Sequence, residues 1–453
     1  MPEVTLLQTR CCIVGGGPAG IVLGCLLARA GVPVIVLEKH QDFFRDFRGD
    51  TIHPSTLQNL FELGILDQFL KLPHQQFARL VLDLNGRMVL GPDLSHLPTH
   101  CKFIALAPQW DFLNFMVDYG RRFPGFQLMM GTQATELIRS AEGRITGVVA
   151  RRDPLVPAAT QATKAPSDLH QSGEIGTHSG QAQASEIHIS ADLVIAADGR
   201  DSRLRQQSGL PLKELGVPID VLWYRLPQVE RPAGEYALGH ISNGQMLVTI
   251  DRGDYLQCAT VIPKGEFATI RSQGLPSFRE RIVRTVPELK QSVNELQSWD
   301  QVKLLTVQMN RLEKWALPGF LCLGDAAHAM SPVGGVGINM AIQDAVAAAN
   351  LLAEKLQRGP VTIQDLEQVQ QRREWPAKMT QRLQAFVHRR LFDPRRGFGR
   401  TAIFSFPARC VLQLFAPLLR RLIARIVGLG FRPEQIRSQQ VHSQQGAGSG
   451  DGE

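Results

Sequence analysis

Two glycine-rich segments of the sequence have the residue types that bind phosphates, ribose hydroxyls and flat rings. The first is Gly15-Gly-Gly17-Pro-Ala-Gly20, and the second is the stretch LCLGDAAHAMSPVGGVGIN, which contains Asp325. Glycine allows the backbone to come close to a ligand, and a carboxylate that follows a strand can accept hydrogen bonds from hydroxyl groups. The two segments could therefore bind two separate ligands or the two ends of one long ligand.

The first segment lies between a short apolar strand and an amphipathic helix, and a second buried strand, VPVIVLEK, follows. In this β-α-β setting Gly15 permits the tight turn, Gly17 lets backbone amides approach a pyrophosphate, and Gly20 packs the helix on the strand. The phosphate would lie at a helix N-terminus, where the macrodipole favours an anion. Glu38 ends the second strand, where it can accept from both ribose hydroxyls of an adenosine and would repel the 2′-phosphate of NADP. The pattern predicts a dinucleotide site and leaves open whether the dinucleotide is NAD or FAD.

The second segment has the features of a flavin site. Asp325 follows a strand-like run, where it can accept hydrogen bonds from the hydroxyls of a ribityl chain. The loop from Gly334 to Gly337 lets the backbone approach a flat ring, and a helix predicted from about Ile338 directs its positive end at that ring. Reduced flavin carries negative charge on the ring, so a helix N-terminus stabilises that state. We therefore predict that one FAD molecule joins the two segments.

Three motifs in a fixed order resemble those of a known family. The first is the glycine motif described above. The second is Asp198-Gly199-Arg-Asp-Ser202-Arg-Leu-Arg205, and the third is Gly324-Asp325-Ala-Ala-His328 followed by Pro332, Gly334, Gly337 and Asn339. Over about residues 10–350 the chain resembles the single-component (group A) FAD-dependent monooxygenases of the para-hydroxybenzoate hydroxylase type. The resemblance implies an α/β fold with a Rossmann-like FAD-binding domain, an inserted substrate-binding β-sheet domain and a C-terminal helical segment.

The resemblance also implies roles for single residues. Arg48 looks like the arginine that contacts the FAD phosphate and, in some members, NAD(P)H, and Gln109 corresponds to a ligand of the flavin chain. Asp198 and Arg205 resemble a motif that serves both the FAD pyrophosphate and NAD(P)H, with a surface salt bridge as the alternative for Arg205. The full set of predicted cofactor-binding residues is Gly15, Gly17, Gly20, Glu38, Arg48, Gln109, Asp198, Arg205, Asp325, Pro332, Gly335, Gly337, Ile338 and Asn339.

The chemistry that the resemblance implies is hydroxylation. NADH or NADPH reduces FAD, O2 adds at flavin C4a, and the hydroperoxide delivers an oxygen atom to an aromatic or other electron-rich lipophilic substrate. This chemistry requires neither a metal nor a protein nucleophile, and no catalytic residue is assigned. Two alternatives stay open: a reductase of the same fold that acts on an isoprenoid or polyprenyl substrate, and a flavin-binding membrane-associated protein without turnover. A flavin halogenase is disfavoured, because the sequence lacks the WxWxIP motif.

Several histidines near the motifs have a structural interpretation beside a chemical one. His328 belongs to the third motif and is predicted to be structural. His53 is either a base near the flavin ring or a polar residue at a helix start. His96 and His100 are four residues apart, a spacing that could form a metal site on one face of a helix. A proline between them disrupts such a helix, so we interpret them as loop residues.

The composition of the 453-residue chain is that of an ordinary globular protein, with 44% hydrophobic and 20% charged residues. The N-terminus lacks the pattern of a signal peptide and the seven cysteines form no CxxC pair, so we predict a reduced, cytoplasmic protein without a metal site or disulfide framework. The mild net charge of +7 gives no reason to expect a nucleic-acid partner. The oligomeric state stays open.

The order of predicted strands and helices sets the domain boundaries. The FAD-binding domain is predicted to comprise residues 1–78, 101–213 and 300–358, the substrate-binding sheet 79–100 and 214–299, a helical region 359–437, and a disordered tail 438–453. Residues 153–185 are rich in Ala, Ser, Gly, Gln and Thr, which predicts a disordered insertion in a hairpin. Candidate substrate residues on the sheet are Trp223, Tyr224, Met246 and Tyr255, although alternation along a strand leaves the face of each one open.

The segment 385–430 is strongly basic. Between residues 389 and 425 it has nine arginines and one acid, Asp393, among apolar clusters. We predict that a helix of this segment packs on the catalytic body and touches a membrane surface, with arginines on anionic headgroups. Pro407, Arg409 and Pro417 are expected to prevent a continuous spanning helix. The alternatives are a solvated face, a cap on the substrate domain and a dimer contact.

Overall fold

The computed structural model describes residues 4–44, 51–153, 185–229, 239–242, 244–391, 406–438 and 440. The strands are β1 (Thr5–Val14), β2 (Val34–Leu37), β3 (Thr51–Ile52), β4 (Gln75–Phe77), β5 (Arg79–Leu84), β6 (Arg87–Asp93), β7 (Ile104–Leu106), β8 (Phe126–Met129), β9 (Thr132–Arg139), β10 (Ile145–Arg152), β11 (Ser185–Ala196), β12 (Leu212–Glu214), β13 (Ile219–Pro227), β14 (Gly239–Ser242), β15 (Gln245–Asp251), β16 (Tyr255–Pro263), β17 (Lys303–Leu305), β18 (Asn310–Leu312), β19 (Ala316–Leu317) and β20 (Phe320–Cys322). The helices are α1 (Pro18–Arg29), α2 (Pro54–Glu62), α3 (Leu66–Phe69), α4 (Gln109–Gly120), α5 (Arg203–Ser208), α6 (Phe267–Ser272), α7 (Leu275–Thr285), α8 (Gly337–Arg358), α9 (Ile363–Leu391) and α10 (Phe406–Leu429).

A large mixed sheet forms the base of the FAD-binding part, which confirms the predicted Rossmann-like α/β fold. Its strand order is β19-β20-β11-β1-β2-β8, and β10 and β9 extend it from β11. Within the order β20-β11-β1-β2-β8 each pair of neighbouring strands is parallel, whereas β19 and β10 join this core as antiparallel strands. Helices α1 and α8 pack against each other and against β1. Coverage by helices explains why the residues of β2 are all buried and apolar.

The substrate-binding sheet is a separate layer with the order β17-β13-β16-β15-β14-β5-β6. Strands β5 and β6 form a hairpin, and Asn85 and Gly86 form its turn with φ angles of 53° and 78°. The predicted boundary at residue 299 is too early, because Lys303–Leu305 pairs with β13 and so belongs to this sheet. A strand of three residues is too short to give a periodic signal in the sequence.

The structure assigns the strand faces that alternation left open. Tyr224 is fully buried against Phe278 of α7, and its hydroxyl lies 2.8 Å from Thr260 Oγ1, so this candidate faces the core of the sheet and not a substrate. Trp223 projects from the opposite face, where it packs with Val248. The strand register places Met246 and Tyr255 on the same face as Trp223.

Residues 54–69 form two helices, α2 and α3, because the chain turns at Gly64 with a φ of 70°. Pro407 and Pro417, which were expected to prevent a continuous spanning helix, both lie inside α10, which is continuous over 24 residues. A proline removes one backbone donor and can bend a helix without ending it when tertiary packing compensates. Within the described parts of the chain, no helix is both long enough and apolar enough to cross a membrane.

The insertion predicted at 153–185 lies almost wholly outside the described residues. Its flanks are cross-strand partners, because Arg152 of β10 opposes Ser185 of β11 in the antiparallel pair. The chain on either side of the segment is therefore paired, and the predicted disordered insertion stays a prediction. The predicted tail also falls mainly outside the described residues, but its first residue is docked: Arg29 donates to the carbonyl of Ser438 at 2.6 Å.

Candidate cofactor site and active site

The predicted FAD ligands of the glycine loop and of the strand ends lie together at one edge of the large sheet. In the order β20, β11, β1, β2, these parallel strands are followed by Asp325, Asp198, the glycine loop of residues 15–20 and Glu38. The carboxyl ends of parallel strands share one edge, and open α/β sheets bind ligands in the crevice outside that edge. Strands that are far apart in the sequence thus bring the two glycine-rich segments together.

The glycine loop leaves an open space at the start of α1. Gly15 has a φ of 111°, and a Cβ atom there would collide with the backbone of Ala197, while a Cβ on Gly20 would collide with the carbonyl of Gly15. Gly17 differs, since nothing lies within 4 Å of the position of its Cβ. Because α1 begins at Pro18 with Gly17 as its N-cap, the unsatisfied amides of its first turn border this space. The arrangement suits an anion such as a pyrophosphate.

Glu38 is held beside the glycine loop. Its Oε2 atom accepts a hydrogen bond of 2.9 Å from the amide of Gly16, and its Oε1 atom lies 2.5 Å from Nδ1 of His40. These contacts fix the half-buried carboxylate at the end of β2, next to the open space, where the predicted ribose contact requires it.

Gly324 connects the two glycine-rich segments. Its φ is 59°, and a Cβ there would lie 3.2 Å from the Cβ atoms of both Ala19 and Ala341. Ala19 lies in the first turn of α1 and Ala341 lies in the second turn of α8. The turn that contains Asp325 therefore lies between the N-terminal ends of α1 and α8. A single ligand that reaches both helix starts would pass this turn.

The second motif positions the Asp325 turn. Asp325 Oδ2 accepts a hydrogen bond of 3.1 Å from Nε of Arg200, and both side chains are partly exposed. Arg205 is only 5% exposed and donates to the carbonyls of Ala326 and Arg200 at 3.1 and 2.5 Å. Arg205 is thus not in a surface salt bridge, the alternative considered above. Its buried guanidinium ties α5 to the turn and holds Arg200 next to Asp325.

The two carboxylate oxygens of Asp198 differ in their contacts with the described residues. Its Oδ2 accepts from the amide of Arg203 at 3.1 Å, whereas its buried Oδ1 has no hydrogen-bond partner in the described parts of the chain. Burial raises the pKa of this carboxyl. Next to it, Gly199 has a φ of 88° and open space at the position of its Cβ. An orphaned acceptor beside open space is what a hydroxyl-bearing ligand would satisfy.

The loop before α8, which we call the ring-side loop (residues 331–336), is anchored on β3. Thr51 donates to the carbonyl of Gly335 at 2.7 Å, and a Cβ on Gly335 would collide with Thr51. Asn339 Oδ1 accepts from the amide of His53 at 2.9 Å and from the hydroxyl of Thr56 at 2.7 Å, and Asn339 Nδ2 donates to the carbonyl of Thr51 at 3.0 Å. The side chain of Asn339 is therefore occupied by protein groups, and only its backbone amide is left for a cofactor.

The remaining predicted ligands lie at helix starts or outside the described residues. Gly337 begins α8 with nothing within 4 Å of the position of its Cβ, and Pro332 and Ile338 are partly exposed near it. Gln109 is the first residue of α4 and is partly exposed. Arg48 lies outside the described residues.

These features fit FAD. The glycine cradle and the start of α1 suit its pyrophosphate, Glu38 and Asp198 present acceptors for hydroxyls, and Asp325 lies between this cradle and the start of α8. The first amides of α8, a helix of 22 residues, have no acceptor within the helix and direct its positive end at the space in front of Gly337. One FAD molecule can therefore reach both glycine-rich segments.

A buried ionic network behind the third motif was not predicted. His328 Nε2 lies 2.6 Å from Asp344 Oδ2, and Asp344 Oδ1 accepts from Arg373 Nε at 2.9 Å. Arg373 also reaches Glu434, 3.4 Å away. Burial alone would raise the pKa of the Asp344 carboxyl, but the charges and hydrogen bonds of His328 and Arg373 hold it below its ordinary value. His328 thus has the structural role predicted for it. One signal was available: Asp344 is an isolated acid in an alanine-rich apolar helix.

An apolar cluster adjoins α10 on the substrate side, and we call it the α10 cluster. Its members are Leu94, Leu97, Ile104, Leu106, Ile250, Ala424 and Leu429, with Phe77, Leu80, Trp223, Val248 and Val427 packed at its margin. Gly428 allows α10 to come close, since a Cβ there would lie 2.6 Å from Leu97 Cδ1 and 3.4 Å from Pro54 Cγ. Helix α10 thus packs over the substrate-binding sheet and the start of α2, as the cap alternative anticipated.

His53 lies between the ring-side loop and α10. Its amide donates to Asn339, and its ring Nδ1 lies 2.6 Å from the carbonyl of Val427. The side chain is 1% exposed, and burial lowers its pKa to about 4. His53 immediately precedes α2, but its side chain makes no capping hydrogen bond, so the helix-start interpretation does not account for its ring.

Comparison with known proteins gives consistent matches along the chain. The family model described as FAD binding domain matches residues 8–154 and 159–382. The chain is 28% identical over 446 residues to 6-methylpretetramide 4-monooxygenase of Streptomyces rimosus, with 96% of each protein covered. It is 25% identical over 376 residues to protoasukamycin 4-monooxygenase of Streptomyces nodosus subsp. asukaensis, with 81% of this chain and 85% of that protein covered. The crystal structure of p-nitrophenol 4-monooxygenase from Pseudomonas putida DLL-E4 has the same fold, with a TM-score of 0.69, 18% identity, and coverage of 94% of this chain and 100% of that one.

These matches decide between the alternatives that the residues left open. The relatives named here are all monooxygenases. The matches therefore support a monooxygenase over a polyprenyl reductase or a flavin-binding protein without turnover. The chain belongs to the FAD-binding domain family and is an FAD-dependent monooxygenase that takes NAD(P)H as its co-substrate.

Proposed function

We propose that this enzyme hydroxylates a largely apolar aromatic substrate that binds between the substrate-binding sheet, α10 and the ring-side loop. The observation that carries the proposal is the α10 cluster, in which apolar side chains from the sheet, from β7 and from α10 meet beside the residues that anchor the ring-side loop. A flat aromatic molecule gains roughly 25 cal/mol for each Å² of apolar surface that it buries in such surroundings. Two of the relatives are named as monooxygenases of 6-methylpretetramide and of p-nitrophenol, which supports an aromatic substrate.

In this proposal the predicted site residues divide into ligands and positioning residues. Gly15, Gly17 and Gly20 shape the pyrophosphate site, Glu38 accepts from the adenosine ribose, and Asp325 accepts from the ribityl chain. Asp198 adds a second acceptor, Gln109 and Arg48 contact the flavin chain and a phosphate, and the amides of residues 337–339 face the ring together with the backbone of Pro332 and Gly335. Arg205 and the side chain of Asn339 act by holding these groups in place.

Bound FAD supplies the reducing power and the oxygen chemistry, and the protein contributes binding, orientation and exclusion of water. Two helix N-termini oppose the negative charge of the cofactor. The α10 cluster and the buried side chain of His53 exclude water from the substrate side.

The proposal predicts that phenols stimulate NAD(P)H oxidation by the FAD-loaded protein and are hydroxylated in the process. A suitable panel pairs naphthols and hydroxylated anthraquinones with isoprenoid quinones of similar size, and product is measured by mass spectrometry. We expect O2-dependent product only with the aromatic acceptors. Reduction of an isoprenoid acceptor without O2, and no hydroxylated phenol, would contradict the proposal.

A second part of the proposal concerns the exposed face of α10, which we propose to contact an anionic membrane surface. Leu418 and Leu422 are 67% and 53% exposed, and Leu419 and Ile423 are also exposed. Arg420, Arg421 and Arg425 are exposed on the same helix. A groove of about 240 Å³ between α10 and the loop before β7 is lined by His96, Leu97, Pro98, Leu418, Arg421, Leu422 and Arg425. Apolar side chains with flanking arginines match the chemistry of anionic headgroups above acyl chains.

We expect the protein to sediment with phosphatidylserine vesicles at low salt and to be released at high salt. Each arginine near such a surface contributes about 1 kcal/mol, so reversing Arg420, Arg421 and Arg425 to Glu should weaken binding by at least ~100-fold. The matched control reverses three exposed arginines elsewhere, Arg121, Arg271 and Arg284. No binding at low salt, or equal loss in the control, would contradict membrane contact. With this contact, the enzyme would work on the cytoplasmic side of a membrane, where NAD(P)H is supplied.

A further inference from the structure

His53 has one ring nitrogen that no group in the described part of the chain satisfies. Its Nδ1 lies 2.6 Å from the carbonyl oxygen of Val427, and a carbonyl can only accept, so Nδ1 carries the proton. Its Nε2 is buried and has no hydrogen-bond partner in the part of the chain that the structure describes. In the neutral ring this nitrogen therefore presents a lone pair and accepts, and a buried acceptor without a donor is rare in folded proteins.

The surroundings of His53 connect it to both halves of the reaction site. Its backbone amide is bound to Asn339, whose side chain also holds Thr51 and thereby the ring-side loop. Its ring contacts α10 at Val427, which packs against the apolar α10 cluster. The orphaned nitrogen thus lies where the predicted flavin ring and the proposed substrate meet, in a setting that otherwise offers mainly apolar contacts.

We propose that Nε2 of His53 accepts a hydrogen bond from a hydroxyl group of the aromatic substrate and so selects phenols over their ethers. This inference rests on the proposed function, because it concerns the same substrate site. A phenol that donates to a fixed acceptor gains electron density in its ring, which suits attack by an electrophilic oxygen. The bond also removes an unsatisfied polar atom from an apolar environment, so the phenol gains affinity that a methyl ether cannot gain.

The backbone contact with α10 explains why the acceptor is fixed. Donation from Nδ1 to Val427 determines both the tautomer and the orientation of the ring. Burial keeps the pKa of His53 at about 4, so near neutral pH the ring is uncharged and Nε2 remains an acceptor. A histidine that only stabilised the fold would need Nδ1 and would gain nothing from an empty Nε2.

Two substitutions of His53 distinguish the role of Nδ1 from the role of Nε2. Asn in H53N can place an amide N–H near the position of Nδ1, which preserves the bond to Val427 but supplies nothing at Nε2. Gln in H53Q reaches further and can place an acceptor near the position of Nε2. Both variants are compared with wild type for FAD content and thermal unfolding, so that a loss of structure is recognised.

The readout is the change in absorbance of bound, oxidised FAD during titration with a naphthol or with its methyl ether. This measurement needs no turnover. We expect wild type to bind the naphthol roughly 10-fold more tightly than the ether, as one hydrogen bond to a buried acceptor predicts. H53N should bring this ratio close to one, and H53Q should retain most of it.

A wild-type protein that binds neither probe, or that binds both equally, would overturn the inference, as would an H53N variant that keeps the preference. If both variants lose FAD or unfold early while wild type shows no preference, His53 is structural. A phenol preference that depends on His53 in a protein that hydroxylates no phenol would instead contradict the proposed function and leave this inference standing.

Discussion

Replacement of Asp325 by alanine is expected to weaken FAD binding roughly 100-fold, or about 3 kcal/mol, while the protein stays folded. Asp325 lies at the end of β20 between the starts of α1 and α8, and its partly exposed carboxylate has one protein partner, Arg200, at 3.1 Å among the contacts described. The substitution would remove the acceptor proposed for the ribityl hydroxyls. It would also leave the guanidinium of Arg200 unpaired at the cofactor site.

Equilibrium titration of the apoprotein with FAD, followed by flavin fluorescence, measures this effect. Asp192→Ala is the matched control, because Asp192 belongs to the same sheet, pairs with Arg10 at 2.6 Å, and has a side-chain exposure of 26% against 28% for Asp325. The control should bind FAD like wild type. Equal affinities of D325A and D192A would show that Asp325 is not a cofactor ligand.

Replacement of Asp344 by asparagine is expected to lower the free energy of unfolding by about 3–5 kcal/mol. The carboxylate is fully buried and accepts from His328, from Arg373 and, at 3.3 Å, from the amide of Gly324. Without the charge of Asp344, the buried guanidinium of Arg373 keeps, among the described residues, Glu434 as its one charged partner. Asparagine has one acceptor oxygen where aspartate has two, so it cannot accept from both Arg373 and the amide of Gly324, and the Asp325 turn should become less well ordered.

Urea unfolding followed by tryptophan fluorescence measures the loss. Glu354→Gln is the control, since Glu354 pairs with Arg358 on α8 but both side chains are about three-quarters exposed, with 74% and 75%. Exposed pairs contribute at most about 1 kcal/mol. A D344N variant as stable as E354Q would mean that the network does not stabilise the fold.

The sequence predicts the cofactor half of the molecule well, because the motifs there are local. Each motif couples a strand end, a glycine turn and a helix start within a short stretch, so the spacing of Gly15, Gly17 and Gly20 fixes the local geometry. Parallel pairing then places the strand ends on one edge without further information. The family and its FAD-binding fold can therefore be predicted from residues that are neighbours in the chain.

The substrate half depends on contacts between distant segments, and the sequence shows these poorly. The bond from His53 to Val427 joins residues that are 374 positions apart, and nothing around His53 indicates its partner. From its charge, Arg205 was expected to be either a cofactor ligand or a surface residue. The sequence does not show that its guanidinium is buried and donates to the carbonyls of Ala326 and Arg200. Likewise, no periodic pattern distinguishes the two faces of β13, so Tyr224 could not be assigned to the core in advance.

The most direct test of the central claim is the source of the oxygen atom in the product. FAD-loaded protein is supplied with NAD(P)H, a naphthol and isotopically heavy O2 in ordinary water, and the product is analysed by mass spectrometry. If the protein is an FAD-dependent monooxygenase of aromatic compounds, the new hydroxyl carries one heavy oxygen atom, and the label disappears with D325A unless FAD is added in excess. Product oxygen that comes from water, or product that forms without O2, would contradict the account.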